Sequence, residues 1–225
     1  MKGEKTLILY PTDPSTAFLL EPFQYLQKRN NALTFFNIQP NEKSHQECVS
    51  LIKNASTIIF MGHGSHQKLS GARNEHFSCE SLLSASEMAS IPDKSWILFS
   101  CNSNDLLKKC ESTIRSGIGF GNLPTDISDV IGIREFDSSY NPDISEPDIL
   151  AFRESINYII VQTVSYFVDH NGDSSNTYVF IKLLITKLYV QLSLNNSSSK
   201  IHANLLFEMK EDSLLISNLD RHLIG

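Results

Sequence analysis

Basic residues are in short supply: 19 Lys and Arg against 25 Asp and Glu leave a net charge of −6. Without a basic stripe, the electrostatic footprint of a nucleic-acid-binding protein is missing. Cysteine is as sparse, with four in 225 residues (Cys48, Cys79, Cys101, Cys110) and no C-x-x-C pair. That excludes a disulfide-stapled scaffold and leaves free thiols suited to a reducing compartment. No G-x-G-x-x-G or Walker-type loop opens a helix, so a nucleotide- or phosphate-binding reading ranks last. Long apolar runs are also wanting. Leu7 to Tyr10 is cut short by Pro11, too early for a secretory leader. Tyr158 to Val168 is interrupted by Gln162, Thr163 and Ser165, and Thr177 to Leu194 carries Lys182 and Lys187. Neither reads as a membrane span. The expectation is a cytoplasmic protein with neither membrane nor nucleic acid as a partner.

What is present suits a globular chain: 41% hydrophobic and 20% charged residues are ordinary proportions. The length fits one generous domain spanning residues 1–225. In the first half, strand-like and helix-like segments alternate. Thr6 to Tyr10, Leu33 to Ile38, Ser56 to Met61, Trp96 to Ser100 and Ile114 to Phe120 read as strands. Ser15 to Arg29, Glu42 to Asn54, Ser84 to Ala89 and Asn104 to Glu111 read as the helices between them. Strands spaced by helices imply right-handed crossovers and an α/β fold with a mostly parallel sheet. Gly121 to Glu146 is an acidic, loop-rich stretch in which Val130 to Ile133 reads as a short strand. Arg134 to Glu146 is long enough for a lid or a self-cleavage segment, or for a plain exposed connection. Two long helices, Pro147 to Asp169 and Ser174 to Leu194, flank a turn at Asn171-Gly172. After a polar linker, Asn195 to Ser199, the segments Ala203 to Met209 and Ser213 to Ser217 read as a C-terminal hairpin.

Two motifs carry chemistry. Gly62-His63-Gly64-Ser65 follows one apolar run and Ser100-Cys101-Asn102-Ser103 follows another. Both therefore fall just past the carboxyl end of a strand, where open α/β sheets form their ligand crevices. A thiol and an imidazole at one edge supply a nucleophile and its general base. Cys101 lies where strand gives way to helix, so helix-end N–H groups would favour its thiolate. The glycines beside His63 permit a tight turn and close approach of a ligand. The N–H groups of Gly64 and Cys101 together would make a two-donor oxyanion hole. Asp126 and Asp129, in the acidic stretch, are candidate substrate-binding residues that would select Arg or Lys. His66, His76 and Cys79 lie near His63 but match no zinc signature, so no metal and no cofactor is expected.

The runs Ile58-Ile59-Phe60-Met61-Gly62-His63-Gly64 and Ile97-Leu98-Phe99-Ser100-Cys101-Asn102-Ser103 resemble the caspase-like cysteine peptidases, and most of all their CHAT-domain branch. The two motif residues are 38 positions apart, against about 50 quoted for caspases. Gly117 to Pro124 is similar to the glycine-rich strand and loop that follow the nucleophile in that group. Phe99-Ser100 stands where Ser-Ala is usual, and Asn104 where a glycine is common. The resemblance implies a three-layer caspase-like sandwich and a Cys101–His63 dyad, with no third orienting residue required. It also implies a protein substrate cleaved through a thioester, such as an effector activated by cleavage, in microbial defence or cell-death signalling. Regulation would come from a separate protein, a propeptide-like loop or self-processing, since the sequence shows no fused sensor. The competing reading is a catalytically silent scaffold or regulatory module that kept the fold.

Overall fold

Short apolar runs rich in Ile, Leu and Phe bury both of their faces only inside a sheet covered on two sides. The computed structural model describes residues 5–194 and 200–218 and shows this arrangement. Its strands are β1 (Thr6–Pro11), β2 (Thr34–Ile38), β3 (Thr57–Met61), β4 (Lys68–Leu69), β5 (Leu83–Ser84), β6 (Ser95–Phe99), β7 (Ser116–Gly119) and β8 (Leu214–Ser217). Its helices are α1 (Leu20–Arg29), α2 (Glu42–Asn54), α3 (Ala85–Ala89), α4 (Ser103–Cys110), α5 (Ile127–Arg134), α6 (Glu146–Asp169), α7 (Ser174–Leu194) and α8 (Lys200–Glu211). The central sheet runs β2-β1-β3-β6-β7-β8, parallel throughout except for β8, which pairs antiparallel with β7. Strands β4 and β5 form a separate small antiparallel pair.

Every residue of β3 and β6 is buried, and alternate side chains divide between two cores. Ile8, Tyr10, Ile59, Met61, Ile97 and Phe99 pack with α1, α6, α7 and α8. Leu7, Leu9, Ile58, Phe60, Trp96 and Leu98 pack with α2, α3 and α4. The result is the expected three-layer α/β sandwich. Because the chain runs from β1 out to β2 and then returns past β1 to β3, it reverses direction of winding between β1 and β3. A crevice forms outside the carboxyl ends at such a reversal.

The structure corrects several boundaries and two element types. Val130 to Ile133 is not a strand but part of α5, because a reciprocal cap at Asp126, four residues upstream, starts a helix there: Asp126 accepts the Ser128 N–H and Asp129 accepts the Asp126 N–H. Ala203 to Met209 is helical within α8, whose buried Ala203, Leu205, Leu206 and Met209 recur at helical rather than alternating spacing. The C-terminal antiparallel pairing is instead made by β8 against β7, with Leu215 opposite Ile118. After β1 the chain enters a 3-10 turn at Pro14–Leu19 before α1, and its cap is Asp13 rather than Ser15. The turn between α6 and α7 does rest on Gly172, whose φ of +76° suits glycine. Helix α7 meets the length and composition of a membrane span despite its two lysines, which the sequence reading set aside. In this fold it packs Ile181, Leu184 and Ile185 into the core and leaves Val179, Leu183, Val190 and Leu194 exposed. The polar linker expected at Asn195 to Ser199 lies outside the described residues.

Candidate active site

Three neighbouring strands deliver the candidate residues to one edge. β1 leads into Asp13 and Ser15, β3 into His63, and β6 into Cys101. The Gly62 N–H donates to the Phe99 carbonyl at 3.2 Å, tying the exits of β3 and β6 together. His63 and Cys101 line one narrow crevice of about 20 Å³, walled by Phe18, Phe99, Leu123 and Ile156. That volume is about what one water molecule occupies. The imidazole and the thiol do not hydrogen-bond to each other. Cys101 Sγ donates to the Leu123 carbonyl at 3.2 Å, while His63 Nε2 faces Ser15 Oγ at 2.6 Å.

The turn after β6 is built by its polar residues. Asn102 adopts a left-handed conformation (φ 52°), a region asparagine tolerates better than most residues. Its N–H donates to the Gly121 carbonyl at 2.8 Å. Ser103, fully buried, donates to the Leu98 and Ser100 carbonyls and accepts the Phe120 N–H at 2.9 Å. Asn104 N–H donates to the Phe120 carbonyl, and its side-chain amide to the Asp212 carbonyl. These bonds lock β6, α4 and β7 around the thiol. They also consume the helix-end donors that were expected to stabilise a thiolate. Burial dominates instead and pushes the Cys101 thiol up to about 11, with a further rise from the Asp129 charge, against lowering by its contact with Leu123.

Gly64 is glycine because of contact, not because of chain reversal. A β-carbon there would lie 2.7 Å from Ser100 Oγ and 3.3 Å from the Cys101 carbonyl, both too close for comfort. Gly62 is similarly confined by the Phe60 ring and Pro11. Among the described residues, the Gly64 N–H has no hydrogen-bond partner, and the Cys101 N–H is directed only at its own sulfur. The two residues expected to supply oxyanion donors thus lie in close backbone contact.

The sequence reading missed the surroundings of His63. Asp13, 4% exposed, accepts from Ser15 N at 2.9 Å and from Ser15 Oγ at 2.6 Å through one carboxylate oxygen. Its other oxygen pairs with Arg73 Nε at 2.5 Å and lies 4.0 Å from His63 Nε2. Arg73 Nη2 also donates to Ser15 Oγ at 3.0 Å, and its backbone N–H to the Thr12 carbonyl at 2.9 Å. An Asp with a Ser two residues on, directly after the strand beside the His-bearing one, was the signal available in Pro11 to Ser15.

On the far side of Cys101 opens a cleft of about 670 Å³. Asp105, Asp129, Glu135 and Asp137 line it together with His66, and no lysine or arginine does. Asp129 is brought to the cleft, although one of its oxygens serves as the cap for Thr125 and Asp126. Asp126 is not among the lining residues. Its carboxylate holds Ser128 and pairs with Arg153 at 3.3 Å. Of the other candidates, His76 is exposed and Cys79 donates to the Ser81 carbonyl. The segment beyond Arg134 is held at its base, where Arg134 donates to the Tyr140 and Asn141 carbonyls and Tyr140 donates to Glu208 at 3.1 Å. No family model matches the chain, and no curated protein is similar to it in sequence.

Proposed function

We propose that the protein is a caspase-like cysteine endopeptidase of the CHAT type, cleaving protein substrates after a basic residue. One observation carries the reading: Cys101 and His63 leave adjacent parallel strands and line the same crevice. Cys101 loses its proton to His63 as its sulfur bonds to the substrate carbonyl carbon, and the N–H groups of Gly64 and Cys101 hold the oxyanion. The tetrahedral adduct collapses to a thioester as His63 passes the proton to the departing amine. Water, deprotonated by His63, then displaces the sulfur and releases the acid and the thiol. The cleft of four carboxylates next to Cys101 supports a basic side chain at the cleavage position, with Asp129 the nearest selector. Four free thiols fit the reducing cytoplasm, and the substrate is a protein such as an effector activated by the cut.

A second reading draws on a specific observation. The Cys101 thiol is raised to about 11 and occupied by the Leu123 carbonyl, as suits a silent scaffold or regulatory module whose site no longer turns over. One experiment separates the two. Fluorogenic peptides carrying Arg, Lys or Asp at the cleavage position are offered to wild type and to Cys101→Ala, alongside labelling of Cys101 by an iodoacetamide probe. Peptidase chemistry gives cleavage after Arg or Lys that vanishes in Cys101→Ala, and labelling that falls in His63→Ala. Cleavage that persists without Cys101, or labelling indifferent to His63, removes the dyad. Asp substrates that outrun Arg and Lys remove the basic preference.

A further inference from the structure

The hydroxyl of Ser15 has one proton and three polar neighbours, and counting protons among them decides how His63 is held. Asp13 Oδ1, at 2.6 Å, is a carboxylate oxygen paired through its partner oxygen with Arg73, so it only accepts. Arg73 Nη2, at 3.0 Å, only donates. His63 Nε2, also at 2.6 Å, can do either. If Ser15 gave its proton to His63, two acceptor oxygens would face each other at 2.6 Å with no hydrogen between them. That arrangement is repulsive, and Asp13 already holds Ser15 from its own N–H at 2.9 Å. The consistent assignment sends the Ser15 proton to Asp13, leaving its lone pairs for Arg73 and for an N–H on His63 Nε2.

We infer that Ser15 is a positioning residue: anchored by Asp13 and Arg73, it fixes His63 as the Nε2–H tautomer and leaves Nδ1 as the atom that exchanges protons. The inference rests on the peptidase reading for its catalytic meaning, but not for its geometry. In the reaction, Nδ1 takes the thiol proton from Cys101 and returns it to the leaving amine, while the Nε2 proton stays where it is. The imidazolium formed in between keeps its hydrogen bond to Ser15, with the Asp13 carboxylate 4.0 Å from Nε2. Charge on the ring is thus faced by charge on a buried acid through one hydroxyl. The dyad expected from the sequence becomes a chain of four: Cys101, His63, Ser15 and Asp13, braced by Arg73.

The test reads the ring directly. In protein labelled with ¹⁵N-histidine, long-range proton–nitrogen correlations identify which nitrogen of His63 carries the proton, the signals being assigned by their loss in His63→Ala. Wild type at neutral pH should show a protonated Nε2 and a bare Nδ1. Ser15→Ala should give a mixture of both forms, and Ser15→Thr, which keeps the hydroxyl, should restore the single form. With an Arg or Lys peptide, Ser15→Ala should lower kcat by about tenfold to a hundredfold with KM within about twofold, since orientation of a general base is what is lost. Ser15→Thr should recover it. A protonated Nδ1 in wild type, or a spectrum unmoved by Ser15→Ala, overturns the inference whatever the kinetics. If the tautomer pattern holds but no turnover depends on Cys101, the positioning stands and the peptidase reading is what fails.

Discussion

His63 and Cys101 emerge from neighbouring strands at the same edge of the sheet, yet their surroundings are opposite in kind. The imidazole sits in a polar network of Asp13, Ser15 and Arg73, with five hydrogen-bonded or ionic links within 3.0 Å of Ser15 Oγ or the Asp13 carboxylate. The thiol sits against Leu123, with burial raising it to about 11 and no lysine or arginine lining either of its two cavities. One partner is oriented in advance; the other is kept neutral at physiological pH. The difference teaches that this site does not store a thiolate, as reactive cysteines next to basic groups do. On the peptidase reading, its reactivity comes from proton transfer to a pre-aimed base as substrate enters and displaces the Leu123 contact. A neutral resting thiol also shields the site from adventitious oxidation.

The comparison breaks most sharply at Gly64, where the two halves touch. A methyl group there would meet Ser100 Oγ at 2.7 Å and Ser100 Cβ at 3.0 Å. Gly64→Ala must therefore part the ends of β3 and β6, moving His63 away from Cys101 and disturbing both proposed oxyanion donors. A displacement near 1 Å at such a site costs about a hundredfold in rate, and that loss of kcat/KM is the expected result. Gly62→Ala meets the Phe60 ring and Pro11 at 3.1 Å, so its effect should be several times smaller. Equal losses in the two variants would show that backbone contact between the motifs is not what aligns them.

A subtler change sharpens the thiol side. Asp129 raises the Cys101 thiol through its charge and lines the acidic cleft. Asp129→Asn keeps an oxygen to accept the Thr125 and Asp126 N–H groups, so α5 should stay capped. Removing the charge should weaken the preference for Arg and Lys peptides by about tenfold, on the order of one charge-assisted bond, and should make Cys101 easier to ionise. Alkylation at fixed pH reports the second effect and the peptide panel the first. A selectivity that does not move would transfer the specificity role to Asp105, Glu135 or Asp137.

The strands and the paired motifs were legible because their signals are local. Ile58 to Met61 and Trp96 to Phe99 are unbroken apolar runs, and β3 and β6 bury every residue of them. Helix α2 runs from Glu42 to Asn54 as read, with Asn41 accepting the Ser44 N–H at its start. Short apolar runs without a clear period were misread. Val130 to Ile133 and Ala203 to Met209 suit either element, and capping by Asp126 or burial against α6 and α7 decided for helix. The site divides in the same way. His63 and Cys101 follow from their places after strands, but the Asp13–Ser15–Arg73 brace depends on β1 lying beside β3 and on the Arg73 backbone reaching Thr12. Asp13 and Ser15 form a local pair, but the contacts from it to His63 and Arg73 join residues far apart in the chain, and no local pattern announces those. The expected lowering of the thiol failed for a related reason: the N–H groups of Asn102 and Asn104 are bound to Gly121 and Phe120, leaving burial to set the balance.

The smallest expected effect tests the thiol's side of the contrast without any substrate. Burial holds the Cys101 proton to about pH 11 in the folded protein, whereas the unfolded chain releases it near the ordinary value of 9.0. Below pH 9 both states keep the proton and the full stability is present. Between pH 9 and about 11 the unfolded chain has lost a proton that the folded protein retains, so stability falls as pH rises, and above that window the slope vanishes. The total is at most about 3 kcal/mol. Cys48, raised to about 12 by its own burial, adds a fall of the same sign, so the informative quantity is the difference between wild type and Cys101→Ala. Urea unfolding from pH 8 to 11 should show the variant losing less stability across that interval, while both share the Cys48 background. Parallel curves would mean that the folded protein holds the thiol at its ordinary value, and a variant losing more stability than wild type would mean that the site holds a thiolate beside its braced imidazole.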